Sequence, residues 1–130
     1  MLPGNKTPTS VTGLSLVALF TIGSLEYASH GEFIINDVAP FMDGDRMMVP
    51  LRAVMDTLGA TVEWVDRPRS VEIRQGDTVM TLPIDVPLPD GMGTPVIING
   101  RTFVPLRYVS EMFGAHAEWV GVNQTARIFQ

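Results

Sequence analysis

The chain contains two copies of one segment, and a constant offset relates them. VPLRAV at residues 49–54 returns as VPLRYV at residues 104–109, and LGATVEWV at residues 58–65 returns as FGAHAEWV at residues 113–120. The offset is 55 residues in both matches, so nothing is inserted between them. A fixed period indicates one supersecondary unit used twice. Residues shared by both copies are therefore explained more simply by the architecture of the unit than by a single catalytic centre.

The composition of the chain argues against several classes of partner and site. A chain of 130 residues can bury a hydrophobic core without disulfides, and its 10 prolines and 12 glycines indicate many turns between short strands. The net charge of −5, with no basic stripe, argues against nucleic acid as a partner. Because the chain has no cysteine, disulfides and thiolate metal sites are excluded.

Each copy predicts a hairpin, a two-turn helix and a second hairpin. In the first copy Pro50 suits the first position of a helix, and Gly59 suits its left-handed C-terminal cap. After the helix, Val62 and Trp64 alternate with polar residues, which is the period of a strand. The apolar face of the helix recurs at i, i+3, i+4 and i+7 and comprises Leu51, Val54, Met55 and Leu58.

The second copy follows the same pattern. Asn99-Gly100 is a strong two-residue hairpin signal, and Gly114 is the predicted helix cap. Ser110 takes the place of an apolar residue on the helix face. We expect an α+β fold in which the units at about residues 37–75 and 92–130 form an antiparallel sheet, with two short helices packed on it.

The segments outside the two units are less regular. Residues 1–12 are predicted to be a flexible leader or linker, followed by a single domain over residues 13–130. The apolar run at residues 14–22 favours a buried strand, with a signal-peptide remnant as the alternative. His30-Gly31 is predicted to lie in the turn of a hairpin. The segment at residues 82–95 has four prolines and two glycines, which predicts an exposed loop or a sheet edge.

The sequence resembles a known family. The string NGRTFVPLR at residues 99–107, followed by Gly114-Ala115 and Glu118-Trp119, is similar to the copper amine oxidase N-terminal, or stalk, domain. DVAPF at residues 37–41 matches the preceding part of that domain, and the likeness covers roughly residues 20–130. The resemblance implies a small α+β module on an exported protein of Gram-positive bacteria. It also implies a non-catalytic role, because oxidase chemistry belongs to a separate, larger domain.

Five residues are candidates for a ligand or interface site. Trp64 and Trp119 occupy equivalent strand positions and suit either sugar stacking or the core, and the shared face with Val62 or Ala117 favours the core. Arg52 and Arg107 could clamp a carboxylate of a ligand. Pairing with an internal carboxylate, for which Glu63 and Glu118 recur at the same offset, or with backbone carbonyls is favoured. Tyr108 is the fifth candidate, since its counterpart in the first copy is Ala53.

No catalytic, cofactor or metal constellation is recognisable in the sequence. His30 and His116 have no histidine or cysteine partner at ligand spacing, and no nucleophile elbow or phosphate-binding loop is present. We therefore expect a non-catalytic extracellular stalk or spacer that contacts other domains of the same or a neighbouring surface protein, or a second copy of itself. The alternative is a module that binds carbohydrate or cell wall. Neither hypothesis includes a membrane span, because residues 14–22 are too few to cross a bilayer.

Overall fold

The computed structural model describes residues 10–11, 13–67 and 69–130, and most of these residues lie in short strands. Two helices and a single 3₁₀ turn at Pro89–Gly91 complete the regular structure of the described residues. In chain order the elements are β1 (Ser10–Val11), β2 (Leu14–Thr21), β3 (Glu26–Ser29), β4 (Glu32–Ile35), β5 (Phe41–Asp43), β6 (Arg46–Pro50), α1 (Leu51–Leu58), β7 (Thr61–Val65), β8 (Ser70–Gln75), β9 (Thr78–Pro83), β10 (Val96–Ile98), β11 (Arg101–Pro105), α2 (Leu106–Met112), β12 (His116–Val120) and β13 (Thr125–Phe129).

The strands form three antiparallel sheets. The largest has the order β12-β13-β2-β3-β4, with β1 paired to β2, and the others have the orders β10-β11-β6-β5 and β7-β8-β9. The α+β class is confirmed, but the prediction of one sheet is wrong. The reason is that each helix separates two hairpins and sends them to different sheets. β5-β6 and β10-β11 share the central sheet, whereas β7-β8 and β12-β13 join the outer two.

The central sheet is joined through β6 and β11. In this antiparallel pair Val49 lies opposite Val104, with Pro50 opposite Phe103 and Met48 opposite Pro105. Both valines are fully buried. Helices α1 and α2 each contact both strands of this pair, so the two helices and the β6-β11 pair form the centre of the molecule.

Each helix begins directly after a proline that ends a strand. Pro50 and Pro105 have extended ψ angles of 122° and 121°, so they precede the helices instead of occupying their first positions as predicted. Proline fixes φ near −65°, which both the strand end and the helix start accept. Gly59, with φ of 78°, is the left-handed cap that the sequence predicted for α1. The predicted apolar face of α1 is buried, namely Leu51, Val54, Met55 and Leu58.

The predicted strand at residues 14–22 is confirmed as β2, which lies between β13 and β3. Its Phe20 is buried and stacks on Tyr27 with ring centroids 4.9 Å apart. Of the predicted leader, Ser10 and Val11 form β1, and residues 1–9 and 12 lie outside the described residues. The hairpin predicted at His30-Gly31 is also confirmed, since both turn residues have positive φ as a type I′ turn requires.

The proline-rich segment at residues 82–95 is held more firmly than a free loop. Its first residues belong to β9, the edge strand of the three-stranded sheet, as the prolines allow. The Asp85 amide then donates to the Pro95 carbonyl at 2.8 Å, and the Leu88 amide donates to the Gly93 carbonyl at 2.7 Å. The predicted sheet edge is therefore present, and the loop that follows it is anchored on the core through the buried Leu88.

Two buried hydroxyl sites in the core differ in their hydrogen bonding. Ser29 Oγ lies 2.8 Å from Thr57 Oγ1, and Thr57 Oγ1 donates to the Ala53 carbonyl at 3.1 Å. Ser110, fully buried on α2 where the first copy has Met55, has no partner for its hydroxyl among the described residues. A buried unsatisfied hydroxyl destabilises the folded state.

We expect Ser110→Ala to raise the free energy of unfolding by about 1 kcal/mol, because it removes an unpaired polar group at almost constant volume. The matched control Ser29→Ala should lower it by about 1 kcal/mol, because it breaks a buried hydrogen bond. Urea unfolding at neutral pH measures both effects. A destabilised Ser110→Ala variant would show that the hydroxyl is hydrogen-bonded.

Candidate functional site

Both tryptophans lie at sheet edges. Trp64 is on β7, the outer strand of the three-stranded sheet, and Trp119 is on β12, the outer strand of the largest sheet. Their cross-strand partners are the buried residues Val71 and Ala126. Directly opposed residues share a face, so each indole is on the core side of its sheet.

The prediction that the tryptophans belong to the core is nevertheless wrong. Trp64 is 43 % exposed and Trp119 is 46 % exposed. Period-2 alternation identified the correct face, but it carries no information on whether a strand is central or at an edge. At an edge, one side of a large ring has no neighbouring strand to cover it. The two indoles therefore overhang surface grooves.

The first groove, which we call the Trp119 groove, has a volume of about 320 Å³. Its walls are the β5-β6 hairpin, the start of α2 and the edge strand β12. Met42, Met92 and Leu106 supply apolar surface beside Trp119, and Arg46 supplies charge. Methionine side chains adapt to irregular partners, which suits a surface that receives another molecule.

The second groove, the Trp64 groove, has a volume of about 810 Å³. Its walls are the β10-β11 hairpin, the start of α1, the edge strand β7, and the end of β4 with the segment that follows it. Ile97 and Val62 supply apolar surface beside Trp64, and Arg52 and Arg101 supply charge.

The two grooves use corresponding positions of the 55-residue repeat. In each, the hairpin of one copy faces the helix start and the tryptophan strand of the other copy. The corresponding positions are residues 37, 50, 51, 52, 62, 64, 71, 97, 100, 101 and 102 in the Trp64 groove and residues 92, 105, 106, 107, 117, 119, 126, 42, 45, 46 and 47 in the Trp119 groove.

The two indole N–H groups differ in their hydrogen bonding, because the residues two positions after each tryptophan differ. The Trp64 indole N–H donates to an Asp66 carboxylate oxygen at 2.5 Å. In the second copy Gly121 replaces this aspartate, and a Cβ there would lie 3.2 Å from Trp119 Nε1. The Trp119 N–H has no acceptor among the described residues, so it is available to a ligand.

The predicted internal carboxylate partner is present for Arg107 and not for Arg52, and Glu63 and Glu118 are the wrong partners. Arg107 Nε donates to Glu111 Oε2 at 3.0 Å, because residues four apart are neighbours on a helix. Glu118 instead pairs with Arg127, which lies directly opposite on β13, at 2.9 Å.

Arg52 forms no ion pair with any described residue, and it is exposed in the Trp64 groove. Arg46 has no acidic partner among the described residues either, and it lines the Trp119 groove. Each groove therefore pairs an exposed indole with one guanidinium that is free to bind an acceptor.

Gly93 determines where Arg46 can lie. Its φ of 107° is unfavourable for other residues, and a Cβ there would lie 2.9 Å from Arg46 Cδ and 2.8 Å from Pro105 Cγ. A side chain at this position would push the arginine aside. The sequence showed Gly-Met-Gly only as a loop, because the contact joins residues far apart in the chain.

Arg101 in the Trp64 groove is paired across the molecule. It binds both carboxylate oxygens of Asp37 through Nε and Nη2, with Nε 3.1 Å from Oδ2. The hydrogen bonds and charge of Arg101 hold the pKa of Asp37 below its ordinary value of 3.8. The same pair raises the pKa of Arg101. This contact fixes the segment after β4 against the β10-β11 hairpin.

The remaining candidates lie away from the grooves. Tyr108 is half-buried and packs against the core, so it lines neither groove. His30 Nε2 lies 2.8 Å from the Thr57 carbonyl oxygen, which gives it a structural partner. His116 packs near Phe129, with ring centroids 6.2 Å apart.

Within residues 10–11, 13–67 and 69–130, no three metal-ligating side chains are grouped, and no helix is long and apolar enough to cross a bilayer.

A comparison with known protein families identifies the family of the chain. The sequence model of the copper amine oxidase N-terminal domain matches residues 29–88 and 92–130, which together are most of the chain. The chain belongs to this family. The resemblance carried by NGRTFVPLR is therefore confirmed. No curated protein and no solved structure matches the chain.

Both tryptophans of this copper amine oxidase N-terminal domain should be accessible to solvent. We expect acrylamide to quench the fluorescence of the single-tryptophan variants Trp64→Phe and Trp119→Phe almost as readily as that of the unfolded chain. Emission that is blue-shifted and resists quenching in either folded variant would contradict the exposed placement.

The Asp37–Arg101 pair predicts a pH dependence. Because the pKa of Asp37 is lowered on folding, its contribution to stability is present above pH 3.8 and is lost as the pH falls through the lowered pKa. We expect Arg101→Gln to raise that pKa toward 3.8 in an NMR titration. Arg69→Gln, which removes the separate pair with Asp85, should leave it unchanged. An unaltered Asp37 titration in Arg101→Gln would refute the pair.

Proposed function

We propose that this chain is a non-catalytic, exported interaction module built from a duplicated unit, and that its two grooves receive segments of partner proteins. The partners are other domains of the same surface protein or of a neighbouring one. In each groove an apolar side chain of the partner packs beside the indole. A carboxylate or carbonyl of the partner accepts a hydrogen bond from the free guanidinium.

One observation supports this proposal most strongly: an exposed tryptophan and an unpaired arginine occur together in both grooves. Tryptophan and arginine are the residues most enriched at the energetic centres of protein interfaces. A folded chain gains little from exposing a large indole, and the two indoles occupy corresponding positions. The free arginines do not, because Arg52 lies at a helix start and Arg46 lies on a hairpin, yet each groove has one. This repetition is more simply explained if both grooves bind a partner than by chance.

The family and the titratable groups favour binding over catalysis. Copper amine oxidase N-terminal domains are non-catalytic. The clearest perturbation of a carboxyl pKa, that of Asp37, is explained by one exposed ion pair. Such a pair is a structural contact and does not prepare a general acid or base.

Carbohydrate or cell-wall binding is the second candidate, and the exposure of both indoles favours it, since sugars stack on aromatic faces. Two features make it the weaker candidate. Tyr108, which could have supplied a further stacking surface, packs against the core. The apolar surfaces beside the indoles come from methionine, leucine, isoleucine and valine, which suit the side chains of a protein better than hydroxyl groups.

The two candidates differ in what the purified chain binds. We expect it to co-sediment with Gram-positive cell envelopes that retain their surface proteins and not with walls stripped of protein. Trp64→Ala and Trp119→Ala should each weaken binding about tenfold or more, since truncating an interface hot spot costs about 2 kcal/mol.

The control is Val122→Ala, which alters an exposed side chain outside both grooves and should bind as the wild type does. Circular dichroism establishes that all variants are folded. Saturable binding to stripped walls, lost in the tryptophan variants, would favour the carbohydrate candidate. Binding that neither tryptophan affects would refute a role for the grooves.

A further inference from the structure

Strand β4 is the outermost strand of the largest sheet, and none of the strands among the described residues pairs with its outer side. All four of its residues are exposed, and three are large and apolar. Phe33 is 77 % exposed and Ile35 is 70 % exposed. Natural edge strands are usually protected by charge, proline or a covering element, since an unprotected edge is a template for another strand.

The hairpin turn determines which backbone groups of β4 are free. A two-residue turn at His30-Gly31 makes Ser29 and Glu32 a hydrogen-bonded pair, and bonded and non-bonded pairs then alternate. Ala28 opposite Phe33, and Glu26 opposite Ile35, are therefore non-bonded pairs. The Asn36 amide, which donates to the Leu25 carbonyl at 2.7 Å, obeys the same alternation. The N–H and C=O groups of Phe33 and Ile35 thus point away from β3, toward the open edge.

We propose that β4 pairs antiparallel with β4 of a second copy, about a two-fold axis at Ile34. In this register Phe33 of each copy lies opposite Ile35 of the other. Each such pair joins two outward N–H groups to two outward C=O groups, which gives four hydrogen bonds across the axis. The two sheets then continue as one.

The side chains fit a second copy in the same register. Phe33 and Ile35 share a face, so the axis brings an aromatic ring next to a β-branched side chain twice, which is a favourable cross-strand pair. Glu32 lies opposite Asn36 of the second copy, where a carboxylate meets an amide. The axis places no like charges directly opposite each other, and Asp37 is already neutralised by Arg101.

This association borders the Trp64 groove, because Ile35 and Asn36 also line that groove. Phe33 and Ile34 line neither groove, and β4 belongs to a different sheet from β7 and to the opposite edge from β12. Loss of dimerisation through Phe33→Lys would therefore leave the lining of both grooves in place, and loss of envelope binding through Trp64→Ala or Trp119→Ala would leave the dimer in place. The two proposals can fail independently.

The oligomeric state tests the proposal directly. We expect sedimentation equilibrium of the full chain to show a reversible monomer–dimer equilibrium, and Phe33→Lys to shift its dissociation constant at least tenfold toward monomer. Val122→Lys adds the same charge at a fully exposed valine on a turn and should dimerise as the wild type does. A wild type that stays monomeric at several hundred micromolar would overturn the proposal.

Disulfide trapping tests the register. The chain has no cysteine, so each introduced cysteine stands alone. In Ile34→Cys the two thiols meet across the axis as a non-bonded pair, whose Cα separation of about 4.5 Å lies within the disulfide range. We expect this variant to form a covalent dimer on mild oxidation. In Phe33→Cys each thiol faces an isoleucine, and little dimer should form.

If Phe33→Lys does not fold, the two cysteine variants still test the proposal. Each of them alters a single exposed or partly exposed side chain without adding charge. Equal covalent dimer from both variants, or more from Phe33→Cys, would show random collision or another register and would overturn the proposal. Covalent dimer specific to Ile34→Cys supports it.

Discussion

The pairing of β6 with β11 is the interaction on which the rest of the structure depends. Val49 and Val104 face each other at its centre, and neither is exposed to solvent. Because a proline ends each of these strands, both helices begin at the same place relative to the pair and pack back on it. The helix starts in turn form one wall of each groove. A register shift between β6 and β11 would therefore displace both helices and with them one wall of each groove.

Local features of the fold were predictable because they depend on neighbours in the sequence. The helix face of Leu51 and Val54, the Gly59 cap and the turn at Asn99-Gly100 are each specified within a few residues. Alternation along β12 also identified the face of Trp119 correctly. The number of sheets was not predictable, since it depends on which hairpin finds which partner.

The ion pairs and close contacts of the candidate site were harder to predict from the sequence. Arg101 and Asp37 are 64 residues apart, and nothing local links them. The near contact between Gly93 and Arg46 likewise depends on two segments that meet only in the folded chain. Arg107 and Arg52 looked equivalent, yet Glu111 binds the first and no described residue binds the second. The repeat indicated which residues matter, while their electrostatic roles followed from tertiary contacts.

The composite walls of the grooves have a consequence for how this domain can change. Neither groove belongs to one half of the chain, because each combines a hairpin from one copy with a tryptophan strand from the other. A cut between the copies would abolish both at once, and one copy alone could not retain either. Substitutions within a hairpin, by contrast, alter one groove and leave the other intact. Both grooves are therefore retained or lost together, although what each one recognises can change independently.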